Sequence, residues 1–195
     1  MQSRTMQDIV IHLGPFVTNE KCEFLLIWNG KSGEMKARSM NLADILTGPS
    51  NILPDMQAAD RWAAIDDLVD NLIATGRIKE ENRAAILAVV KKRESSMSTG
   101  IGFGIGIPHA STDLIPEVVG ALGRSSKGIN FDALDNQPVN LVMLFLVPQG
   151  QFQRHLHTLA SIAKLLHIKE FRQELEQAPD PEAMWQVILK YSALR

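Results

Sequence analysis

Glycine alternates with isoleucine or phenylalanine from Gly100 to Ile107, and the run ends in Pro108-His109. A period of two residues predicts a β-strand, because successive side chains of a strand point to opposite faces of a sheet. One face of this predicted strand carries only glycine, so another backbone or a ligand can approach it closely. Pro108 has no N–H group to give to a sheet and is expected to end the strand. His109 would then lie just beyond a rigid, narrow platform.

His109 is the first candidate for a functional residue, because an imidazole held in this way can act as a nucleophile, a proton carrier or a ligand. The local sequence leaves one alternative open, in which a glycine-rich loop ends in a structural histidine. The glycines do not fit the G-x-G-x-x-G pattern of a dinucleotide site, and the Lys-Ser or Lys-Thr ending of a P-loop is missing. The pattern therefore does not indicate a nucleotide-binding loop.

The length of 195 residues suits one domain with an appendage. A net charge of −2 gives no electrostatic reason to expect nucleic acid or an anionic membrane as a partner. Cys22 is the single cysteine and cannot form an intrachain disulfide, which suits the reducing cytoplasm. The polar start of the chain does not resemble a signal peptide, and the longest apolar run, 141–147, is too short to span a bilayer. We therefore expect a soluble cytoplasmic protein without membrane insertion.

Residues 1–39 differ from the rest of the chain and are predicted to form a small β-rich extension. Segments 8–13 and 22–28 have the composition of strands, and Asn-Gly-Lys-Ser-Gly at 29–33 has that of a turn. The apolar stretch at 24–28 needs burial, so the extension is expected to cover a sheet edge or to contact another subunit. A homo-oligomer formed through this extension is therefore one expectation.

Residues 40–195 are predicted to form one α/β domain in which helices and strands are intermixed. Apolar residues at helical spacing indicate helices, and short apolar runs bounded by proline and glycine indicate buried strands. Asp60 and Gly76 have the residue types that begin and end a helix. The helices are expected at residues 62–73, 85–93, 153–166 and 180–189, and the strands at residues 118–122 and 139–147.

Further motifs surround the glycine run in a fixed order. Arg-Glu at 93–94 and Ser-Thr at 98–99 precede it, Ile-Pro-His at 107–109 closes it, and His-Leu-His-Thr-Leu-Ala-Ser-Ile-Ala follows at 155–163. Upstream, Met-Asn-Leu-Ala-Asp-Ile-Leu occupies 40–46. Together these motifs resemble the signature of the fructose/mannitol-type IIA domains of the bacterial phosphoenolpyruvate-dependent sugar phosphotransferase system. That family includes the nitrogen-regulatory IIA proteins.

The resemblance implies an α/β fold with a mixed central sheet flanked by helices on both faces. It also implies that His109 accepts a phosphoryl group through its Nε2 atom from phospho-HPr, the small phosphocarrier of the system. His109 would then pass the group to a cysteine of a IIB domain. Imidazole suits this role, because it attacks well and also leaves easily. No cysteine and histidine cluster has the spacing of a metal site, so neither a metal nor a cofactor is expected.

His155 and Arg93 are expected to assist His109. His155 lies four residues before Leu159 and seven before Ile162, so it borders the apolar face of the predicted helix. The resemblance implies that His155 hydrogen-bonds the phosphate or the facing imidazole, and a core histidine is the alternative. Arg93 is a suitable cation, because a guanidinium donates forked hydrogen bonds to phosphate oxygens. Its alternative role is the solvated end of a basic run at a helix C-terminus.

Thr99 and Ser98 are candidates for binding the phosphate. The Thr99 hydroxyl has the chemistry to donate to a phosphate oxygen or to tune His109. Capping of a turn is an equally good account of this residue type.

The sequence leaves three functions open. The chain is a phosphocarrier for sugar uptake, or a free-standing regulatory IIA protein whose phosphorylation at His109 controls its protein partners, or a scaffold that has lost the chemistry. Intact Arg93, His109 and His155 argue against the third. The 195 residues hold no IIB or membrane IIC segment, which gives some weight to regulation.

Overall fold

One mixed β-sheet with helices on both faces forms the described part of the protein. The structure is a computed structural model and describes residues 41–150 and 152–193, apart from the side chains of residues 152–157. These residues belong to the unit Arg38–Arg195. The predicted extension at residues 1–39 lies outside them, so its fold, its boundary and its role in assembly stay predictions.

Helices α1 to α6 and strands β1 to β6 follow one another along the described chain. They are α1 Leu42–Leu46, β1 Ile52–Leu53, α2 Arg61–Ala74, α3 Arg83–Ser96, β2 Gly100–Gly102, β3 Ile105–Gly106, β4 His109–Thr112, β5 Val119–Ile129, β6 Val139–Pro148, α4 Phe152–Leu166, α5 Lys169–Gln177 and α6 Pro181–Ala193. The strand order is β1-β5-β6-β3-β2, and β4 pairs with β6. β5 is antiparallel to β6, whereas β3 and β4 are parallel to it. None of the described helices has both the length and the apolar composition needed to cross a membrane.

Strand β6 lies in the middle of the sheet and divides the core in two. Leu144 and Leu146 pack with residues of α2 and α3, on what we call the α2–α3 face. Met143 and Phe145 pack with α1, α4, α5 and α6, on what we call the α4–α6 face. A strand covered on both faces is apolar at nearly every position, which explains why 139–147 shows no alternation. The arrangement confirms the predicted fold class.

Side chains at the predicted ends of two helices make the expected contacts. Asp60 Oδ1 accepts hydrogen bonds from two N–H groups in the first turn of α2, at Trp62 and Ala63, each 2.9 Å. Gly76, just beyond this helix, has a positive φ of 72°. Asp180 accepts a hydrogen bond from an N–H group in the first turn of α6 at 2.8 Å. The predicted termini of α2 and the start of α6 are therefore confirmed.

Helix α5 is not predicted by the sequence, because only Phe171 and Leu175 of its nine residues are buried. The carbonyl groups at its C-terminus instead accept hydrogen bonds from a residue that is distant in the sequence. Arg124 of β5 donates through Nη1 to the carbonyl oxygens of Leu175 (2.8 Å) and Ala178 (2.6 Å). A helix end satisfied by such a distant donor leaves no local signal in the sequence.

The glycine run does not form a single strand, which corrects the expectation above. It forms a tight hairpin of β2 and β3 whose turn lies at Phe103 and Gly104. Gly102, Phe103 and Gly104 have φ values of +89°, +57° and +74°, which reverse the chain. The bare glycine face is covered by this same protein: a Cβ on Gly100 would lie 2.8 Å from the Cα of Ala133. The close approach therefore serves internal packing.

Candidate functional site

His109 is the first residue of β4 and lies opposite Phe145 of β6. The two rings are stacked, with centroids 5.6 Å apart and planes inclined by 16°, and His109 is 8% exposed. Strand β3 ends at Gly106, before Pro108, as expected, and β4 begins directly after the proline. The Pro108 carbonyl accepts a hydrogen bond from the Phe145 N–H at 3.1 Å, so the chain stays in the sheet across the break. The sheet therefore fixes the His109 ring on the α4–α6 face.

The tautomer of His109 follows from one hydrogen bond. Its Nδ1 atom lies 2.8 Å from the carbonyl oxygen of Ile107. Because a carbonyl oxygen can only accept, Nδ1 carries the proton. In the neutral ring the lone pair is then on Nε2, which is the nitrogen able to attack an electrophile.

A chain of hydrogen bonds connects this carbonyl to the end of α3. The Ile107 N–H donates to the Thr99 carbonyl at 3.0 Å, across the hairpin. Thr99 in turn donates to the Glu94 carboxylate, through its N–H at 2.8 Å and its hydroxyl at 2.7 Å. Glu94 is only 1% exposed. The strand that presents His109 is thereby tied to the C-terminus of α3.

Sequence reasoning missed the role of Glu94. An acidic side chain in the last turn of a helix is unfavourable beside the negative end of the helix dipole. Its presence at the end of α3 was therefore a signal for a specific partner, and Thr99 is that partner. In this structure the Thr99 hydroxyl donates to the Glu94 side chain, a contact that is neither phosphate binding nor the capping of a turn. The Ser98 hydroxyl donates to the backbone carbonyl of Phe131 at 2.7 Å.

Arg93 lies in the last turn of α3, which packs on the α2–α3 face of the sheet. Its side chain is half-buried, and Nη1 donates to the carbonyl oxygen of Met97 at 3.0 Å. This hydrogen bond is with the backbone just beyond the end of the helix. The predicted contact of Arg93 with His109, or with a phosphate on it, stays a prediction.

The helix α4 carries His155 and packs on the same face of the sheet as the His109 ring. Ile162 and Leu166 of α4 are buried in the core that contains Phe145. The side chain of His155 lies outside the described residues. Its predicted contact with His109 or with a phosphate therefore stays a prediction.

Asp135 holds the turn of the glycine hairpin. Its carboxylate accepts hydrogen bonds from the backbone N–H groups of Phe103 (2.9 Å) and Gln137 (3.1 Å). These bonds, the one from Phe103 first, hold the pKa of Asp135 below its ordinary value. The turn is thus stabilised by a carboxylate that must stay ionised.

Acidification is therefore expected to loosen this turn. A carboxylate whose pKa is lower in the folded than in the unfolded chain stabilises the fold above the unfolded pKa, and this stabilisation is lost as the pH falls through the folded pKa. We expect the free energy of unfolding of the wild type to fall more steeply than that of Asp135→Asn from about pH 4 downward. Urea denaturation over a pH series measures this, with the exposed Asp113→Asn as control. Parallel curves for the wild type and Asp135→Asn would contradict it.

Named proteins similar to this chain include both sugar-specific and regulatory ones. The fructose-specific EIIA component of a phosphotransferase system from Haloferax volcanii is 36% identical over 130 residues, 67% of this chain and 83% of that protein. A nitrogen regulatory protein from Bradyrhizobium diazoefficiens is 31% identical over 143 residues, 73% of this chain and 92% of that protein. The crystal structure of nitrogen regulatory protein IIA-Ntr from Neisseria meningitidis superposes with a TM-score of 0.67 at 27% identity. It covers 75% of this chain and 97% of that one.

The match to a family model covers most of the described residues. Residues 46–191 match the family described as "Phosphoenolpyruvate-dependent sugar phosphotransferase system, EIIA 2". The range contains the glycine hairpin, His109 and the helices α3 and α4. The chain therefore belongs to the EIIA type-2 family of the phosphoenolpyruvate-dependent sugar phosphotransferase system.

Proposed function

We propose that this protein is a phosphocarrier whose His109 accepts a phosphoryl group from phospho-HPr and passes it to a cysteine of a IIB domain in sugar uptake. The observation that carries the proposal is the hydrogen bond from His109 Nδ1 to the Ile107 carbonyl (2.8 Å). It fixes the tautomer in which Nε2 is the nucleophile. The proposal places the protein in the cytoplasm, where both partner proteins would act.

The transfer balances without a co-reactant. The bond between phosphorus and the donor's imidazole nitrogen breaks as the bond between phosphorus and His109 Nε2 forms, and the donor imidazole leaves. The His109 ring gains positive charge during this step, and the Nδ1–H bond to the Ile107 carbonyl becomes stronger for that reason. In the second step the thiolate of the acceptor attacks phosphorus and His109 leaves. The protein contributes position and charge, which phosphoryl transfer chiefly requires.

Two further residues complete the proposed site. His155 belongs to the helix packed on the face that carries His109, and we assign it to a hydrogen bond with the phosphate. Arg93 is held in the structure by Met97, a single backbone acceptor. Its long side chain can exchange this bond for two charge-assisted bonds to phosphate oxygens once a phosphoryl group arrives. Arg93 thus supplies the positive charge that stabilises the transferred group.

The replacement Arg93→Ala tests this role. We expect it to lower the rate of phosphoryl transfer to His109 about 10- to 100-fold, because the positive charge that would stabilise the transferring group is lost. Its free energy of unfolding should fall by only about 1 kcal/mol, the value of one exposed hydrogen bond. Lys92→Ala, at an exposed position one residue earlier, is the matched control for loss of a positive charge. Equal transfer rates for the two variants would show that Arg93 does not act on the phosphate.

Incubation with phosphoenolpyruvate, the first enzyme of the system and HPr tests the proposed function. Intact mass should show one added phosphoryl group, and the label should be acid-labile and base-stable, as a phosphohistidine is. The control is the same incubation with phosphoenolpyruvate and the first enzyme but without HPr. A wild-type protein that gains no mass would overturn the proposal.

A regulatory role is the second candidate, in which the phosphorylation state of His109 selects protein partners. It is favoured by the similarity to a nitrogen regulatory protein over 92% of that protein's length. The two functions differ in the fate of the phosphoryl group. A sugar carrier passes it rapidly to a IIB domain, whereas a regulator retains it and binds different proteins in its two states.

The extension at residues 1–39 is expected to serve assembly and not the chemistry. All proposed site residues follow residue 40, and the apolar run at 24–28 needs burial. A truncated protein that starts at Met40 should accept the phosphoryl group at a similar rate but aggregate or change its oligomeric state. Transfer assays and size-exclusion chromatography with light scattering measure the two effects. An unchanged oligomeric state together with loss of phosphorylation would place the extension in the site.

A further inference from the structure

The turn of the glycine hairpin carries a strained aromatic residue. Phe103 has a φ of +57°, in the left-handed region that bulky residues rarely adopt, and it is 65% exposed. The turn itself does not require an aromatic side chain, because only the backbone N–H of Phe103 is used by Asp135. A strained residue that the local fold does not need points to a role for its side chain.

The Phe103 ring contacts two side chains, that of His167, directly after α4, and that of Arg172 in α5. The His167 ring meets it edge-on, with centroids 5.5 Å apart and planes inclined by 68°. The guanidinium carbon of Arg172 lies 5.8 Å from the ring centroid. Both geometries are attractive, the first as an edge-to-face pair and the second as a cation–π contact. We call Phe103, His167 and Arg172 the turn clamp.

Both partners of Phe103 are themselves fixed to the last turn of α4. His167 Nδ1 lies 2.8 Å from the carbonyl oxygen of Ala163 and donates to it. Arg172 Nη1 donates to the carbonyl oxygen of Leu166, also at 2.8 Å. The Leu166 carbonyl belongs to the last turn, where carbonyl groups have no partner within the helix. The Ala163 carbonyl also accepts the backbone N–H of His167 at 2.9 Å. The turn clamp therefore joins the tip of the hairpin to the end of α4.

The distance from the turn clamp to His109 along the strand segment is similar to the distance from the turn clamp to position 155 along the helix. Six residue steps separate Phe103 from His109, and all but those of the turn at Phe103 and Gly104 run along the sheet, so the span is at most about 20 Å. His167 and His155 are separated by twelve residues along α4, about 18 Å of helix. Ile162 of α4 packs in the same core as residues of this strand segment, so helix and strand lie against each other. Fixing one end of α4 at Phe103 thus sets where its other end lies relative to His109.

We propose that Phe103 is a positioning residue, which through the turn clamp sets the register of α4 on the strand segment that carries His109. In this way it places helix position 155 beside His109. The inference rests on the proposed phosphoryl transfer for its kinetic consequence, but not for its structural one. The competing role for an exposed aromatic residue is an anchor for the donor protein, and that role gives a different kinetic result.

Two variants remove the turn clamp from opposite sides, and two others serve as controls. Phe103→Leu removes the ring and keeps an apolar side chain, and His167→Ala removes its partner. Phe103→Tyr keeps the ring and should rescue. Leu134→Ala is the matched control, because Leu134 is also exposed (75%) and its backbone N–H donates to the carbonyl of Gly100 in the hairpin (2.9 Å).

Each protein is assayed in two ways. The first is the rate of phosphoryl transfer from phospho-HPr as a function of donor concentration. The second is hydrogen exchange of the α4 amides in the unphosphorylated full chain. The second measurement does not depend on phosphoryl transfer, so it judges the turn clamp even where the proposed function fails.

We expect Phe103→Leu and His167→Ala each to lower the maximal rate about three- to tenfold, with the KM for donor within about twofold. Exchange of the α4 amides should become faster in both. The double variant should be no worse than Phe103→Leu alone, since that change already removes the contact with His167. Unchanged exchange in α4 would overturn the proposal. So would a raised KM with an unchanged maximal rate, which would identify Phe103 as an anchor for the donor.

Discussion

The variant His109→Asn is expected to take up no phosphoryl group while it keeps the wild-type fold. The asparagine amide nitrogen replaces Nδ1 of the imidazole, so the donor to the Ile107 carbonyl (2.8 Å) is retained. Nothing replaces Nε2, and asparagine is not a nucleophile. The change therefore separates the chemistry of His109 from its structural hydrogen bond. Intact mass after incubation with phosphoenolpyruvate, the first enzyme and HPr measures the uptake.

His109→Gln and His157→Gln complete this experiment. His109→Gln loses the donor at Nδ1, and it should be inactive and also less stable, because the Ile107 carbonyl is left without its partner. The helical pattern places His157 on the polar side of the predicted helix. The variant His157→Gln should therefore take up the phosphoryl group like the wild type. Stoichiometric phosphorylation of His109→Asn would show that another residue carries the group.

Phe145→Ala is expected to lower the free energy of unfolding by about 3–5 kcal/mol, the cost of removing a phenyl ring from a closed core. Phe145 is completely buried in the middle of β6. Its ring also stacks on the His109 ring, so the variant also loses a contact that holds the imidazole in place. Urea denaturation monitored by circular dichroism measures the effect on stability.

Phe145→Leu is the control for this experiment. A leucine fills most of the space and should cost less than about 1.5 kcal/mol. It lacks the flat ring that stacks on the imidazole, so any change in the phosphorylation rate of this variant reports on the stack and not on folding. A Phe145→Ala variant within about 1 kcal/mol of the wild type would mean that the core around His109 relaxes to fill the cavity.

Much of the architecture could be predicted from local patterns. The termini of α2 follow from Asp60 and Gly76, because capping depends on residues within one turn of the helix end. The buried strand β6 follows from an apolar run of the right length between turn residues. His109 could be singled out because it follows a regular glycine run that is closed by a proline. All of these signals lie within a few residues of the feature they predict.

The glycine hairpin could not be predicted from local patterns in the sequence. The same alternation of glycine and apolar residues fits one strand or two short ones, since glycine tolerates positive and negative φ alike. Asp135 decides between them, because its carboxylate binds the Phe103 N–H at the turn. The choice also brings Ala133 against Gly100, where no side chain would fit. These partners are 32 and 33 residues away along the chain, beyond any pattern of short period.

Residue types at short and regular spacing are enough to predict the family, the order of most helices and strands, and the candidate nucleophile His109. Three features depend on tertiary packing: the tautomer of His109, the buried hydrogen bond between Thr99 and Glu94, and the contact of Arg93 with Met97. A hydrogen bond needs two groups within about 3 Å. Only the packing of helices on a twisted sheet decides which groups come that close.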